Sequence, residues 1–235
     1  MTGEALPSSG LVSAAIGAIS AHIRAHDLMP GDRLPSEADL SRQLNVSRSV
    51  VREAFRSLAA IRIIDVAIGK RATVAQIDHG AMGLMMEHGL NTDQISVQQI
   101  YDVRRTIESR IATLASLRRT EGEAALILAL AAQMRADRQD PALLMERDLA
   151  FHAALATACR NPVFQLIVGA FQGITRQTWP IGWKSRTSAV ERDRMLAMHD
   201  DIAGAVAAGD PVAAATAMAV HFDESVRVLL AAGMA

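Results

Sequence analysis

Four residues in the second half of the chain have side chains that bind divalent cations. Asp148 and His152 stand four residues apart in a stretch of helical periodicity, which places a carboxylate and an imidazole on one helix face. His199 and His221 fall on the last two predicted helices, which are antiparallel because the connection at 209–211 is short. All four side chains could therefore meet around one cation inside a helical bundle. Taken one at a time, each is better explained as an ordinary core histidine or an ion-paired carboxylate.

A second group of residues has the chemistry for binding DNA. Arg48 and Arg52 lie on one face of the third predicted helix, and Ser47 and Ser49 stand at its start. A guanidinium can bond both acceptors of guanine in the major groove, and short hydroxyls suit phosphate. The glycine and two cations of the turn at 69–71 offer further phosphate contacts. One such arginine would be a solvated surface charge, but the ordered set favours a DNA-binding surface.

The elements that carry the DNA-binding residues are predicted from periodicity and helix caps. Apolar residues at helical spacing predict a first helix over 11–28, and Ser36 and Ser47 are suited to cap the second and third helices. Two short strands follow at 63–68 and 72–75, around the basic turn. This is the element order of a winged helix-turn-helix, whose third helix enters the major groove.

From residue 78 onward the pattern is helical throughout. Prolines in first turns and glycines at helix ends predict seven helices, at 78–89, 94–119, 121–139, 141–159, 162–182, 186–208 and 211–232. The fold class is therefore predicted to be mainly α. A winged helix-turn-helix over 1–76 is followed by a linker and first bundle helix over 77–95. The all-α bundle of about seven helices begins with that helix and continues over 96–235, where we expect the effector, the metal and the dimer contact.

Three segments of the first part resemble the GntR family of bacterial transcription regulators. They are Gly31-Asp32-Arg33-Leu34-Pro35-Ser36-Glu37, Val46-Ser47-Arg48 and Val51-Arg52-Glu53-Ala54 with Leu58. The resemblance implies operator contacts from the serine and arginines of the third helix and from the glycine of the turn. With their neighbours, the predicted DNA-contact residues are Arg33, Ser36, Ser47, Arg48, Ser49, Arg52, Gly69, Lys70 and Arg71.

Three positions of the first part depart from the family pattern. Ala38 stands where many members have a basic residue that contacts DNA, and Arg62 and Arg71 stand where glycine is usual or frequent. One DNA contact therefore has no counterpart at Ala38. A side-chain contact from Arg71 to phosphate, in place of a backbone contact, is a hypothesis.

Motifs of the second part resemble the FCD ligand-binding domain of the FadR subfamily of GntR regulators. They are Val103-Arg104-x-x-Ile107-Glu108, Asp148-x-x-Phe151-His152, and the segment from His199-x-x-Ile202 to Met218-x-x-His221. The resemblance implies that Asp148 and the three histidines bind zinc, nickel or manganese, with zinc expected first. It also implies that Arg104 lies near an effector carboxylate, which a guanidinium binds bidentately. Arg104 is alternatively paired with Glu108, and both hold if Glu108 orients the arginine.

Composition and charge exclude several classes of protein. Half of the 235 residues are apolar, and the single cysteine, Cys159, excludes a disulfide scaffold. No signal peptide or membrane-length apolar run is evident, so we expect a cytoplasmic protein without a membrane partner. The net charge is −1, yet residues 1–76 carry nine basic and seven acidic residues. The positive excess thus lies in the part predicted to bind DNA. The first ten residues are predicted to be a loose tail.

Together these features predict a metal-assisted transcription regulator. We expect a homodimer that binds a near-palindromic operator and is released, as a repressor, by a small carboxylate such as a sugar acid, hydroxy acid or dicarboxylate. An enzyme is not expected, since the sequence has no Glu-x-x-His, His-Glu-x-x-His or Gly-x-Ser-x-Gly motif and the bundle is joined to a part predicted to bind DNA. The alternatives are a regulator for which the metal is itself the signal and a metal-dependent enzyme. Trp179 and Trp183 are predicted to pack in the core, with a place in the pocket wall as the alternative.

Overall fold

The computed structural model describes residues 8–234, which form two compact units that divide near residue 81. Most of the predicted loose tail, residues 1–7, lies outside the described residues, and the first helix already begins at Ser8. The domain boundaries predicted at residues 76 and 95 stay predictions. Among the described residues, no helix is both long and apolar enough to cross a membrane.

The first unit has the winged helix-turn-helix order. Its elements are α1 (Ser8–Ala25), α2 (Glu37–Leu44), α3 (Arg48–Ala60), β1 (Ile64–Asp65) and β2 (Thr73–Val74). Ser36 and Ser47 cap α2 and α3 as predicted, because their hydroxyls accept hydrogen bonds from the backbone N–H groups three residues on. Asn45 ends α2 in the left-handed region at φ 51°, which an asparagine tolerates and which turns the chain sharply toward α3.

The core of the first unit joins its helices to the hairpin. Ile19 of α1, Leu58 of α3 and Ile64 of β1 are fully or almost fully buried together with Leu34. Ile19 and Leu58 recur at the helical spacing that predicts the inner faces of α1 and α3. Burial of this apolar stripe orients α3, so that its polar face is turned to solvent.

The hairpin is shorter than the strands predicted from sequence. β1 and β2 pair antiparallel over two residues each, with Ile64 opposite Val74. Val66 and Ile68 have more than half of their surface exposed, so they lack the burial that would extend the strand. Arg33 forms an isolated antiparallel β-bridge with Thr73 of β2, so one further residue pairs with the hairpin.

The described part of the second unit is all helical. Its elements are α4 (Gly80–Asn91, whose first two residues belong to the first unit), α5 (Val97–Arg118), α6 (Glu121–Ala136), α7 (Pro141–Ala158), α8 (Pro162–Ala170), α9 (Gln172–Ser185), α10 (Ala189–Ala208) and α11 (Pro211–Ala231). The long helix α5 packs against α7, α10 and α11. Phe151, Ile111, Met218 and Phe222 are buried in the core that these helices enclose.

One predicted helix, over 162–182, is divided into α8 and α9, so the bundle has eight described helices instead of seven. The backbone N–H of Phe171 donates to the carbonyl of Val168, three residues back, which interrupts the regular α-helical ladder. The next helix starts later than predicted because a capping box of Ser188 and Glu191 sets its first turn. Residues 186–188 are therefore a linker between α9 and α10.

Candidate metal centre and effector cavity

The four residues predicted to bind a metal come from three helices and lie together in the bundle. Asp148 and His152 are on α7, His199 is on α10 and His221 is on α11. All four are at least nine-tenths buried. One ring nitrogen of each histidine lies within 4.8 Å of a ring nitrogen of the other two. The spacing of each residue along its helix thus brings three imidazoles and a carboxylate to one point.

His199 is held so that its second ring nitrogen faces a carboxylate. Its Nδ1 donates to the backbone carbonyl of Met195 over 2.9 Å, and its Nε2 lies 3.0 Å from Oδ1 of Asp148. A neutral imidazole that donates through Nδ1 has a lone pair on Nε2. Two acceptors then face each other, an arrangement that a cation placed between them and the other ligands would satisfy.

His152 is oriented by a buried carboxylate on the neighbouring helix. Its Nδ1 donates to Oε2 of Glu108, and the other oxygen of Glu108 accepts from Nε of Arg104 over 2.8 Å. A carboxylate bonded to the far nitrogen of a histidine fixes its tautomer and ring orientation, as is usual around bound metals. Glu108 therefore presents the Nε2 lone pair of His152 to the cluster.

Two buried nitrogens of the cluster are orphaned within the described residues. Nε2 of His152 and Nδ1 of His221 have no hydrogen-bond partner and almost no exposed surface. A buried polar atom without a partner is costly, and metal coordination is one way to satisfy it. The donor set fits a divalent cation, since three imidazoles and one carboxylate suit zinc, nickel or manganese. Such a cation would act as a Lewis acid toward an oxygen ligand.

The protonation states of Asp148 and His221 favour metal binding. Burial raises the pKa of Asp148, but the close approach of His199 and the other nearby histidines outweighs it and holds that pKa well below its ordinary value. Burial lowers the pKa of His221 well below that of free imidazole, and the other two histidines lower it further. Asp148 is therefore a carboxylate and His221 a neutral imidazole, the forms in which both bind metals.

A cavity of about 40 Å³ adjoins the cluster. Asp148 and His221 form part of its wall, and Arg104 and Arg186 contribute two guanidinium groups. Hydroxyl and aromatic groups complete the lining, namely Tyr101, Thr175, Thr178, Trp179, Trp183 and Ser225. The cavity is thus lined by candidate metal ligands, two arginine side chains and several hydroxyl groups. These groups are suited to bind a small anion.

Arg104 lies deep in this cavity wall. Besides its bond to Glu108, it donates through Nη1 to the hydroxyl of Thr175 over 2.9 Å. Its guanidinium carbon lies 4.9 Å from the ring centroid of Phe222 and 5.3 Å from that of Tyr101, within range of cation–π attraction. The sequence predicted the pair of Arg104 with Glu108, but it did not predict that Glu108 also holds His152.

The cavity wall contains residues that the sequence did not assign. Arg186 lies in the linker between α9 and α10 and has no periodicity or motif that marks it. Trp179 and Trp183 stack on each other with ring centroids 5.5 Å apart, and both line the cavity. Trp183 is buried at 6% exposure and Trp179 is half-buried. The tryptophans therefore pack against the core and also form part of the cavity wall.

The predicted DNA-contact residues lie mostly on the surface of the first unit. Ser47, Arg48, Ser49 and Arg52 are exposed around the start of α3, and Gly69, Lys70 and Arg71 are exposed in the hairpin turn, with Gly69 at φ 72°. Arg33 is also exposed, while Ser36 is half-buried because its hydroxyl caps α2.

Two of the arginines are held by other groups of the unit. Arg52 pairs with Glu37 of α2 over 3.0 Å, and Nε of Arg71 donates to the carbonyl of Leu34 over 3.1 Å. Arg62, where the related regulators usually have glycine, adopts φ 60° and pairs with Asp78 over 2.6 Å. The left-handed backbone explains why glycine is the usual residue there.

A winged helix-turn-helix joined to an all-α bundle is the architecture of a DNA-binding transcription regulator. Comparison with known proteins identifies the family. Residues 11–74 match the profile of the bacterial regulatory proteins of the gntR family, and residues 99–224 match that of the FCD domain. The chain is 30% identical over 203 residues to the HTH-type transcriptional regulator LutR of Bacillus subtilis (strain 168). The aligned residues cover 85% of this chain and 92% of LutR.

A second relative is the galactonate operon transcriptional repressor of Escherichia coli (strain K12), 31% identical over 161 residues, or 66% of this chain and 69% of the repressor. The solved structure of Streptococcus agalactiae GntR superposes with a TM-score of 0.68 over 92% of this chain and 98% of that protein. At 24% identity, that likeness shows the fold. The chain belongs to the GntR family of bacterial transcription regulators, with the FCD domain of the FadR subfamily. It is a DNA-binding regulator and not an enzyme.

Proposed function

We propose that this regulator is a repressor whose DNA affinity falls when a small carboxylate binds in the cavity beside a divalent metal ion. The observation that carries the proposal is that a candidate metal cluster adjoins a cavity lined by an arginine. Orphaned ring nitrogens of His152 and His221 point to a cation, and the adjoining cavity contains the Arg104 guanidinium. A metal and an arginine together bind a carboxylate more strongly than either group alone.

Each side chain of the site has a distinct role in this proposal. Asp148 and the three histidines hold the cation, with zinc as the first expectation. Glu108 keeps the Nδ1 proton of His152 in place and neutralises the buried charge of Arg104. Arg104 contributes one guanidinium edge to the effector, while its other bonds to Glu108 and Thr175 fix its direction.

Helix α9 supplies a route from the cavity toward the DNA-binding unit. Its residues Thr175 and Trp179 line the cavity, while Gly173 at its start lies against Glu87 of α4, so closely that an added Cβ would meet the carboxylate. Because α4 begins where the first unit ends, a shift of α9 on effector binding would be passed to the segment that carries the winged domain. The effector changes DNA affinity only as far as it binds one arrangement more tightly.

We further propose that the part of the bundle over residues 96–235 forms a homodimer. Two winged domains, each over residues 1–76, would then bind the two half-sites of a near-palindromic operator. The base- and phosphate-contacting groups are the predicted surface set, with Arg48 and Arg52 in the major groove and the hairpin turn on the adjacent backbone. The protein acts in the cytoplasm, where its operator and the metabolite are found together. Light scattering across a concentration series checks the dimer.

The test uses an operator selected from a random DNA pool by the full-length protein. Fluorescence anisotropy then measures DNA affinity with zinc alone, and with zinc plus each member of a panel of sugar acids, hydroxy acids and dicarboxylates. We expect at least one acid to weaken DNA binding of the zinc-loaded protein. His199→Ala and Arg104→Ala should abolish that response and retain DNA binding, while His88→Ala, at an exposed histidine outside the cluster, should respond normally.

Release of DNA that follows zinc concentration without any acid would instead identify the metal itself as the signal. The observation that supports this alternative is that His152, His199 and His221 could hold a metal ion without an organic ligand. A response of normal strength in both His199→Ala and Arg104→Ala would show that the effector site lies elsewhere.

A further inference from the structure

Arg186 is a buried cation for which the described residues supply no direct acidic partner. The residue is 7% exposed and lines the cavity beside the metal cluster. Its Nη1 donates to the carbonyl of Gly182 over 2.8 Å, and its Nε is buried without a hydrogen-bond partner. The acidic side chain with the largest influence on it, Glu224, is itself bonded to Arg227 over 2.7 Å. Burial lowers the pKa of Arg186, as expected for a cation without a direct counter-charge.

The charges around the cavity would not balance once a divalent cation is bound. Arg104 and Glu108 form a buried pair with no net charge. Of the remaining groups, Asp148 is an anion that a divalent cation would more than neutralise, since ligating histidines are neutral. The metal-loaded site then has two separate positive centres, namely the metal with its carboxylate ligand, and Arg186. Buried charges of one sign are costly unless a ligand of opposite charge pairs with them.

We propose that the effector carries two acidic groups, one bound at the metal and Arg104 and the other bound by Arg186. This inference rests on the proposed function, because the first acidic group binds where that function places the effector. Arg186 has a free donor edge for the second group, since its Nε is unpartnered among the described residues. The small volume of the cavity, about 40 Å³, favours a short dicarboxylate over a six-carbon sugar acid.

Two hydroxyl groups of the cavity wall can form hydrogen bonds with the part of such a ligand between its two carboxylates. Ser225 lines the cavity, and Thr178 lines it while bonded to the phenol of Tyr101 over 2.9 Å. Each hydroxyl donates to the backbone carbonyl four residues back, of Ile174 or of His221, so each can accept a hydrogen bond from a ligand hydroxyl between two carboxylates. Short dicarboxylates with or without a central hydroxyl are therefore the ligand class that the cavity matches.

The test compares acids that differ only in the second carboxylate, on the full-length zinc-loaded protein. The pairs are malonate with propionate, succinate with butyrate, and glutarate with valerate, and galactonate serves as a hydroxyl-rich monoacid. Trp179 and Trp183 are the two tryptophans of the chain and both line the cavity, so tryptophan fluorescence reports binding directly. We expect at least one diacid to bind about tenfold or more tightly than its matched monoacid.

Two variants assign that preference to Arg186. Arg186→Gln should reduce the diacid to the affinity of the monoacid and leave the monoacid unchanged, whereas Arg186→Lys should retain part of the preference. Arg176→Gln removes an exposed arginine from the same region and should leave the preference intact. Melting temperatures of the zinc-loaded variants show whether each is folded.

Three results would overturn the inference and leave the proposed function standing. They are monoacids that bind as tightly as diacids, a diacid preference that survives in Arg186→Gln, and an equal loss of both acids in that variant. Failure of every acid to bind the zinc-loaded wild-type protein would overturn the proposed function, and the inference with it. The two failures are therefore separable in one set of titrations.

Discussion

Replacement of Glu108 by glutamine tests whether the metal cluster depends on its buried neighbour. The side chains of Glu108 and Arg104 are 2% and 6% exposed, so solvent screens their interaction little. Loss of one partner of a buried ion pair costs about 3–5 kcal/mol. Because glutamine keeps the volume of the side chain, we expect about 3 kcal/mol. For a protein of this size, each kcal/mol lowers the melting temperature by about 2–4 °C, which gives roughly 6–12 °C.

The same substitution should weaken zinc binding by about 10–100-fold, because His152 loses the carboxylate that holds its Nδ1 proton. Urea unfolding followed by tryptophan fluorescence measures the stability of the second unit, which contains both tryptophans. Competition with a chelating dye measures zinc affinity. Glu146→Gln is the matched control, since Glu146 also pairs with an arginine but is half exposed. We expect it to cost less than about 1 kcal/mol.

The double variant Arg104→Met/Glu108→Leu separates stability from metal positioning. It removes both charges, so it should recover much of the lost stability, as apolar replacements of buried pairs often do. Zinc affinity should stay low, since His152 still lacks its carboxylate. If Glu108→Gln unfolds like Glu146→Gln and binds zinc like the wild type, the role assigned to Glu108 is wrong.

Four further outcomes are expected. Arg48→Ala should cost about 1–3 kcal/mol of operator affinity by anisotropy and relax specificity at one base pair, while Arg56→Ala, further along α3 and paired with Glu53, should cost less. Asn45→Val should destabilise the first unit by about 1–2 kcal/mol in chemical unfolding, because a β-branched residue resists φ 51°. Phe151→Ala, at a site with no exposed surface, should cost about 3–5 kcal/mol. A chelator should lower the melting temperature of metal-loaded wild type and leave that of His199→Ala unchanged, because a ligand stabilises only the state that binds it.

Much of the fold follows from local sequence signals. Ser36 and Ser47 cap α2 and α3 at the predicted residues, and prolines begin α7, α8 and α11 as predicted. Caps and first-turn prolines act through hydrogen bonds within a few residues, so they are readable without knowledge of the packing.

The late start of α10 follows from a local capping box, whereas the break at Phe171 and the short strands depend on contacts distant in sequence. The break at Phe171 interrupts a continuous apolar pattern, and Phe171 is buried at 2% exposure in the core of the bundle. The strands were predicted too long because β-branched residues at 63–68 favour extended structure. In the structure Val66 and Ile68 are exposed, so no core holds them in a strand.

The sequence by itself determined the class of protein, the order of its elements and the four candidate metal ligands. Helical spacing and a short turn allow Asp148, His152, His199 and His221 to meet, and the resemblance to the FCD domain selects them as the candidate ligands. Only the tertiary structure decided that Glu108 holds His152 and that Arg186 enters the same cavity. Glu108 and His152 lie 44 residues apart, and Arg186 lies in a linker between helices. No local periodicity encodes such contacts, since they exist only after packing removes the side chains from water.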